Sequence, residues 1–215
     1  RKHQNYLHQQ INKHRWSVLV CHRRFGKTVC MINHLIKSAL MCKHKNPRFA
    51  YIAPTFKQAK SIAWDYMKQF TAKIPATRFN ETELRVDLPN GARITLLGAE
   101  NSDGLRGIYL DGCVIDEYAN IEGKLFAEII RPALSDRKGY CVFIGTPAGM
   151  NNNFYDLYQH ANGADDWFNY KAKASDTKIV DPEELEKARE VMGEKKYLQE
   201  FECDWIANIE GAIFG

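Results

Sequence analysis

Lys27 and Thr28, with Gly26 before them, carry the first chemistry legible in this chain. They follow the apolar run "VLV" (18–20) in "VLVCHRRFGKT" and open a stretch of helical periodicity. In such a strand–loop–helix, backbone N–H groups and the helix N-terminus hold a phosphate anion. A lysine there reaches the β- and γ-phosphates, and the threonine hydroxyl ligates Mg²⁺. Against the pattern GxxxxGK[ST], Cys21 stands where the leading glycine is usual. Further along, "VID" (114–116) ends on Asp116 and is followed by Glu117. At the carboxyl end of a strand, Asp116 would hold Mg²⁺ and Glu117 would polarise the water that attacks a γ-phosphate. A later apolar run ends on Gly145-Thr146-Pro147, where the Thr146 hydroxyl would sense the γ-phosphate. Arg23 and Arg24 flank the phosphates from within the loop, and Arg106 precedes the acidic pair. A guanidinium beside a γ-phosphate stabilises transition-state charge, although any one arginine is more often a surface charge.

The elements that must position these residues follow from periodicity. Residues 16–20, 48–53, 112–116 and 140–145 are short, nearly continuous apolar runs, as strands buried on both faces of a parallel sheet read. Helical stretches lie between them at 27–41, 57–72 and 124–134, with Met31, Leu35, Ile36 and Leu40 recurring at helical spacing in the first. Alternation across 83–97 about Pro89-Asn90-Gly91 predicts a hairpin. Beyond Pro147 come a helix ("FYDLYQHA"), a strand ("FNYKAKA") and "DPEELEKAREVMGEKKYLQEF", with Asp181 as N-cap and Pro182 at N1. Strands alternating with crossover helices give an α/β fold with a largely parallel sheet and ligands at the strands' carboxyl ends.

Composition sets the frame. The chain has 215 residues, a formal charge of +4 and 45% hydrophobic residues, enough for a packed core and mildly basic. That balance is compatible with a polyanion partner and does not prove one. No apolar run approaches the roughly eighteen residues of a membrane span, and "RKHQNYLHQQ" is no secretory signal. The six cysteines lack a CxxC pair and read as buried reduced thiols of a cytoplasmic protein. Cys42 and His44 would suit a metal, but lack a second ligand pair at zinc spacing.

Taken together, the motifs resemble the large terminase subunits of tailed bacteriophages, in their N-terminal packaging ATPase. "HRRFGKT" is similar to that family's arginine-bearing phosphate loop, and Arg23 falls at its loop arginine. "YIAPTFKQAK" is similar to the segment after its second strand, "LRG…VIDEYA" to its acidic motif with the upstream arginine, and "GTP" to its coupling motif. "HQNYL" resembles the glutamine element that reads adenine, with Gln4 at the matching position and Gln9 as the alternative. The resemblance implies a P-loop NTPase of the ASCE/RecA-like type, with a mainly parallel central sheet flanked by helices and a β-hairpin insertion. It implies ATP and Mg²⁺ as cofactors, Gln4, Arg23, Arg24, Gly26, Lys27 and Thr28 as nucleotide-binding residues, and Thr28 and Asp116 as metal ligands. Glu117, Arg23, Arg106 and Thr146 would be catalytic, with either arginine as the finger. Implied partners are double-stranded DNA, the portal protein, the small terminase subunit and copies of the chain in a pentameric ring, with no membrane. The implied location is the cytoplasm of the infected bacterial host. Residues 1–202 are expected to form the ATPase domain, and 203–215 to begin a linker toward a nuclease domain. A helicase-like remodeller shares the glutamine element and acidic pair but needs a second RecA-like half, for which 215 residues leave no room. A non-catalytic nucleotide-binding scaffold would not need lysine, threonine, aspartate and glutamate all in place.

Overall fold

A computed structural model of the chain describes residues 2–206, apart from the side chain of Asp103. In chain order the elements are α1 (Lys2–Ile11), β1 (Trp16–Cys21), α2 (Lys27–Met41), β2 (Arg48–Ala53), α3 (Phe56–Ala59) and α4 (Asp65–Thr71). They continue with β3 (Arg78–Asn80), β4 (Arg85–Asp87), β5 (Arg93–Gly98), β6 (Gly112–Ile115), α5 (Arg131–Ala133) and β7 (Tyr140–Gly145). The last are α6 (Asn153–Ala161), β8 (Trp167–Ala172), α7 (Ala174–Thr177), α8 (Pro182–Met192) and α9 (Glu194–Phe201). The chain divides into two compact units, residues 1–27 with 144–215, and residues 28–143. Among the described residues no helix is long and apolar enough to cross a membrane.

In the second unit β2 is the centre of the sheet, pairing in parallel with β5 on one side and β6 on the other. β6 pairs in parallel with β7, while β3, β4 and β5 form an antiparallel meander. The continuous apolar runs become strands buried on both faces: β6 is buried throughout, and β2 at every position after Arg48. The 83–97 alternation gives the hairpin β4–β5, and β5 alternates buried with half-buried positions. β3 carries no such pattern, because its residues are exposed or half-buried and only pairing with β4 makes it a strand. α2 buries Met31, Leu35 and Ile36 as the spacing predicts, but Leu40 is 40% exposed, since the last turn runs past the core.

Two expected helices are not uniform. Residues 57–72 contain a π-helical turn at Lys60–Trp64 between α3 and α4, and 124–134 contain another at Phe126–Ile130. The second ends shortly before Pro132, which has no N–H for an α-type bond, so a wider turn there loses no hydrogen bond.

In the first unit β1 and β8 pair in parallel, Trp16 opposite Trp167 through Cys21 opposite Ala172. α1, for which periodicity assigns no element, packs on β8: Tyr6 meets the rings of Phe168 and Tyr170, and His3 Nδ1 lies 3.0 Å from the Tyr170 hydroxyl. Asp181 caps α8 by accepting from Glu183 N–H at 2.9 Å, with Pro182 at N1. The helical run then breaks at Gly193, whose φ of +77° is left-handed, and restarts as α9. Cys203 and Trp205 are buried in this unit, and residues 207–215 of the expected linker lie outside the described residues.

Candidate functional site

The loop between β1 and α2 is anchored by its departures from the glycine-rich pattern. Cys21 is the last residue of β1 and fully buried, and its φ is not positive, so nothing in its backbone asks for glycine. The left-handed conformations fall instead on Arg24 (φ +70°) and Gly26 (φ +86°). His22 is buried and acts as a staple. Its Nδ1 donates to the Arg23 carbonyl at 2.6 Å, and its Nε2 lies 2.8 Å from the Thr177 hydroxyl. Burial lowers the His22 pKa from its ordinary value. Phe25, also buried, packs edge-on against the imidazole. Gly26, Lys27 and Thr28 are half-buried at the head of the fifteen-residue α2, whose first N–H groups have no intrahelical acceptor.

The first unit carries Gln4, Arg23, Arg24, Gly26, Lys27 and Thr146. Gln4 on α1 is half-buried and its Nε2 donates to the Gly26 carbonyl at 3.4 Å, whereas Gln9 is exposed. Arg23 is held by α9: its N–H donates to the Glu200 carbonyl at 2.7 Å, and its guanidinium lies 3.9 Å from the Glu200 carboxylate. Lys196 also pairs with that carboxylate, at 2.7 Å. The neighbouring Gln199, buried, donates from Nε2 to the Pro147 carbonyl at 2.6 Å, directly after Thr146. α9 therefore touches both the phosphate-type loop and the Gly145-Thr146-Pro147 turn through consecutive residues. Local sequence carries no sign of this, because Glu200 and Arg23 are far apart in the chain.

The second unit carries Thr28, Arg106, Asp116 and Glu117. Here the structure brings Thr28 and Asp116 together through a residue the motifs did not single out. Tyr51, fully buried on β2, donates its hydroxyl to Asp116 Oδ2, and Thr28 lies beside that hydroxyl. Asp116 is 2% exposed, its Oδ1 accepts the Glu117 N–H at 2.8 Å, and its own N–H donates to the Ile52 carbonyl. Glu117 is half-buried and left-handed, with φ +50°. A non-glycine residue held there costs of order 1 kcal/mol. Arg106 is exposed and lines a cavity of about 350 Å³ with Glu100, Glu122, Lys124 and Glu128. Thr28, Tyr51, Asp116 and Glu117 are not among that cavity's lining residues.

A family model described as "Terminase large subunit, T4likevirus-type, N-terminal" matches residues 20–215. The chain belongs to the large terminase subunit family. A large terminase subunit of Thermus virus P23-45 is 32% identical over 126 residues, which is 50% of this chain and 26% of that protein. The chain thus matches about a quarter of the length of that curated relative. The large terminase ATPase domain of Thermus phage P74-26 superposes with a TM-score of 0.76 at 22% identity, covering 93% of this chain and 92% of that one. A large terminase from another thermophilic bacteriophage, in complex with ADP, superposes with a TM-score of 0.77 at 15% identity, covering 91% of this chain and 49% of that one. The fold is that of a large terminase ATPase domain: an α/β architecture with mostly parallel strands and a β-hairpin insertion.

Cys42 and His44 do gain a companion, Asp111, their ligand atoms all lying within 4.8 Å of one another. The Asp111 carboxylate is already engaged, by His44 Nδ1 at 2.5 Å, the Arg48 N–H at 2.7 Å and the Arg137 guanidinium at 3.5 Å. With a guanidinium already against the shared oxygen, the cluster is an ion-paired clasp rather than a metal centre. All six cysteines are free thiols, and Cys42 alone of them is not buried. Burial pushes the Cys141 thiol well above its ordinary value, as suits an inert core residue.

Proposed function

We propose that this chain is the ATP-hydrolysing motor domain of a DNA-packaging terminase, driving double-stranded DNA through a portal into a procapsid. The observation that carries the reading is the polar cluster Thr28–Tyr51–Asp116–Glu117, in a chain of the large terminase family whose loop ends in Gly26-Lys27-Thr28. Thr28 and Asp116 offer hard oxygen donors, one of them a buried carboxylate, and that donor set fits Mg²⁺. When bound, Mg²⁺ would neutralise phosphate charge between those two residues. The N–H groups at the head of α2 and the ammonium of Lys27 bind the phosphates, with Arg24 flanking them. Glu117 orients and deprotonates the attacking water. Gln4, beside the loop carbonyl of Gly26, reads the adenine edge. Arg23 or Arg106 supplies the guanidinium that meets the transition state, and Thr146 senses the γ-phosphate. Bound ADP in the thermophilic-phage terminase supports the nucleotide assignment by analogy of fold.

Residues 1–202 form the motor domain in this reading, with the linker starting at 203. Double-stranded DNA, the portal, the small terminase subunit and four further copies in a ring are the partners, and the cytoplasm of the infected host is the place of action. Steady-state ATPase measurement with DNA and divalent metal tests the core of it. Wild-type protein should turn over ATP, and Lys27→Ala should lose most nucleotide binding. ATP-independent behaviour of both proteins overturns the proposal.

A further inference from the structure

Tyr51 sits within β2, where Phe49 to Ala53 are all buried. A phenylalanine would fill the same space without a polar atom, and a buried hydroxyl costs stability unless it is paired. This one is paired, donating to Asp116 Oδ2, with Thr28 beside it. The register explains how: Tyr51 stands opposite Val114 in the β2–β6 ladder, and the two-residue repeat of a strand puts Asp116 on the same face as Val114. The Glu117 N–H takes the other oxygen, Oδ1. Each carboxylate oxygen therefore accepts a donor, and the group is clamped against rotation.

We propose that Tyr51 is a positioning residue of the metal–nucleotide site. Its hydroxyl fixes the plane of the Asp116 carboxylate and keeps Thr28 beside it, so the two oxygen donors stand assembled before nucleotide arrives. The inference rests on the ATPase reading, and goes beyond it by naming the residue that joins loop threonine to strand aspartate. A purely structural role for Tyr51 would affect folding stability and leave the metal dependence of nucleotide binding unmoved.

The test uses ADP, so that it does not depend on turnover. Calorimetric titration of wild-type and Tyr51→Phe proteins with ADP, across a series of Mg²⁺ concentrations, gives the Mg²⁺ level that half-maximally tightens binding. Tyr51→Phe should raise that level about tenfold, as expected for losing a hydrogen bond to a charged group, with metal-free ADP affinity unchanged. Introducing 4-aminophenylalanine at position 51 restores a donor and should restore the wild-type level. If Tyr51→Phe is too unstable to titrate, 4-methylphenylalanine at position 51 replaces it, matching the amino analogue in size and lacking only the donor. An unchanged Mg²⁺ dependence in a folded donor-less variant overturns the inference and leaves the ATPase reading intact. Wild-type protein whose ADP binding ignores Mg²⁺ overturns both.

Discussion

At the scale of single residues, Glu117 carries the sharpest expectations. Glu117→Gln should bind ATP normally and hydrolyse it about 100-fold or more slowly, the contribution of a positioned general base. Single-turnover kinetics alongside binding measures both, and near-normal turnover removes Glu117 from the mechanism. Because its φ is +50°, Glu117→Gly should be inactive yet more heat-stable, by up to about 1 kcal/mol, since glycine adopts that conformation without strain. Calorimetric melting decides that point. His22 gives a pH prediction. Its folded pKa lies below the ordinary 6.5, so the unfolded chain takes up the proton more readily. The stability it contributes is complete above pH 6.5 and is lost as pH falls from there toward the folded value. Melting midpoints of His22→Gln, compared with wild type, should fall less between pH 7.5 and pH 5.5, values chosen to span that window.

Among the elements, α9 is the one whose importance exceeds its sequence signal. Gln199→Leu would leave the Pro147 carbonyl buried without its donor, a loss of roughly 1–3 kcal/mol. Denaturant titration reads that loss. Glu200→Ala removes the carboxylate 3.9 Å from the Arg23 guanidinium but leaves the backbone bond to Arg23 N–H in place. Arg23 is 62% exposed at its side chain, so the pair adds little stability, well under 1 kcal/mol. Its effect should appear instead in ATP affinity or turnover, because the guanidinium loses the carboxylate beside it. Equal kinetics for Glu200→Ala and wild type would make the pair incidental.

For the whole molecule, the proposed ring assigns Arg106 and Arg23 to different nucleotides. Arg106 is followed by Gly107, whose φ is +80°, and both are exposed; in the proposed ring this segment would present the guanidinium to a neighbouring copy. Arg23 is tied to α9 of its own chain. In the ring reading, dilute protein should be a poor ATPase whose specific activity rises with concentration. Mixing Arg106→Ala with Glu117→Gln subunits should recover activity, because some interfaces then join an intact Glu117 to an intact Arg106. No recovery in rings shown to contain both variants assigns Arg106 to its own chain and leaves Arg23 as the finger.

Local pattern alone determined much of this protein. The strands at 48–53 and 140–145 and the helix at 27–41 fall where periodicity puts them, because a strand buried on both faces must be apolar throughout and a helix must repeat its buried positions. The hairpin at Pro89-Asn90-Gly91 and the Asp181-Pro182 cap were equally legible, since turn and cap chemistry lies within a few residues. Gly26-Lys27-Thr28, at the head of α2, and Asp116-Glu117, just after β6, stand out by residue type. Tertiary structure decided what lies between them. β3 exists only as a partner of β4, and α1 is placed by rings on β8. Tyr51 reads as one more apolar-run aromatic until the β2–β6 register brings its hydroxyl to Asp116. Histidine at position 22 reads as a departure from a glycine-rich loop until Thr177 meets its ring. Such pairings depend on long-range register and packing, which no window of neighbouring residues contains.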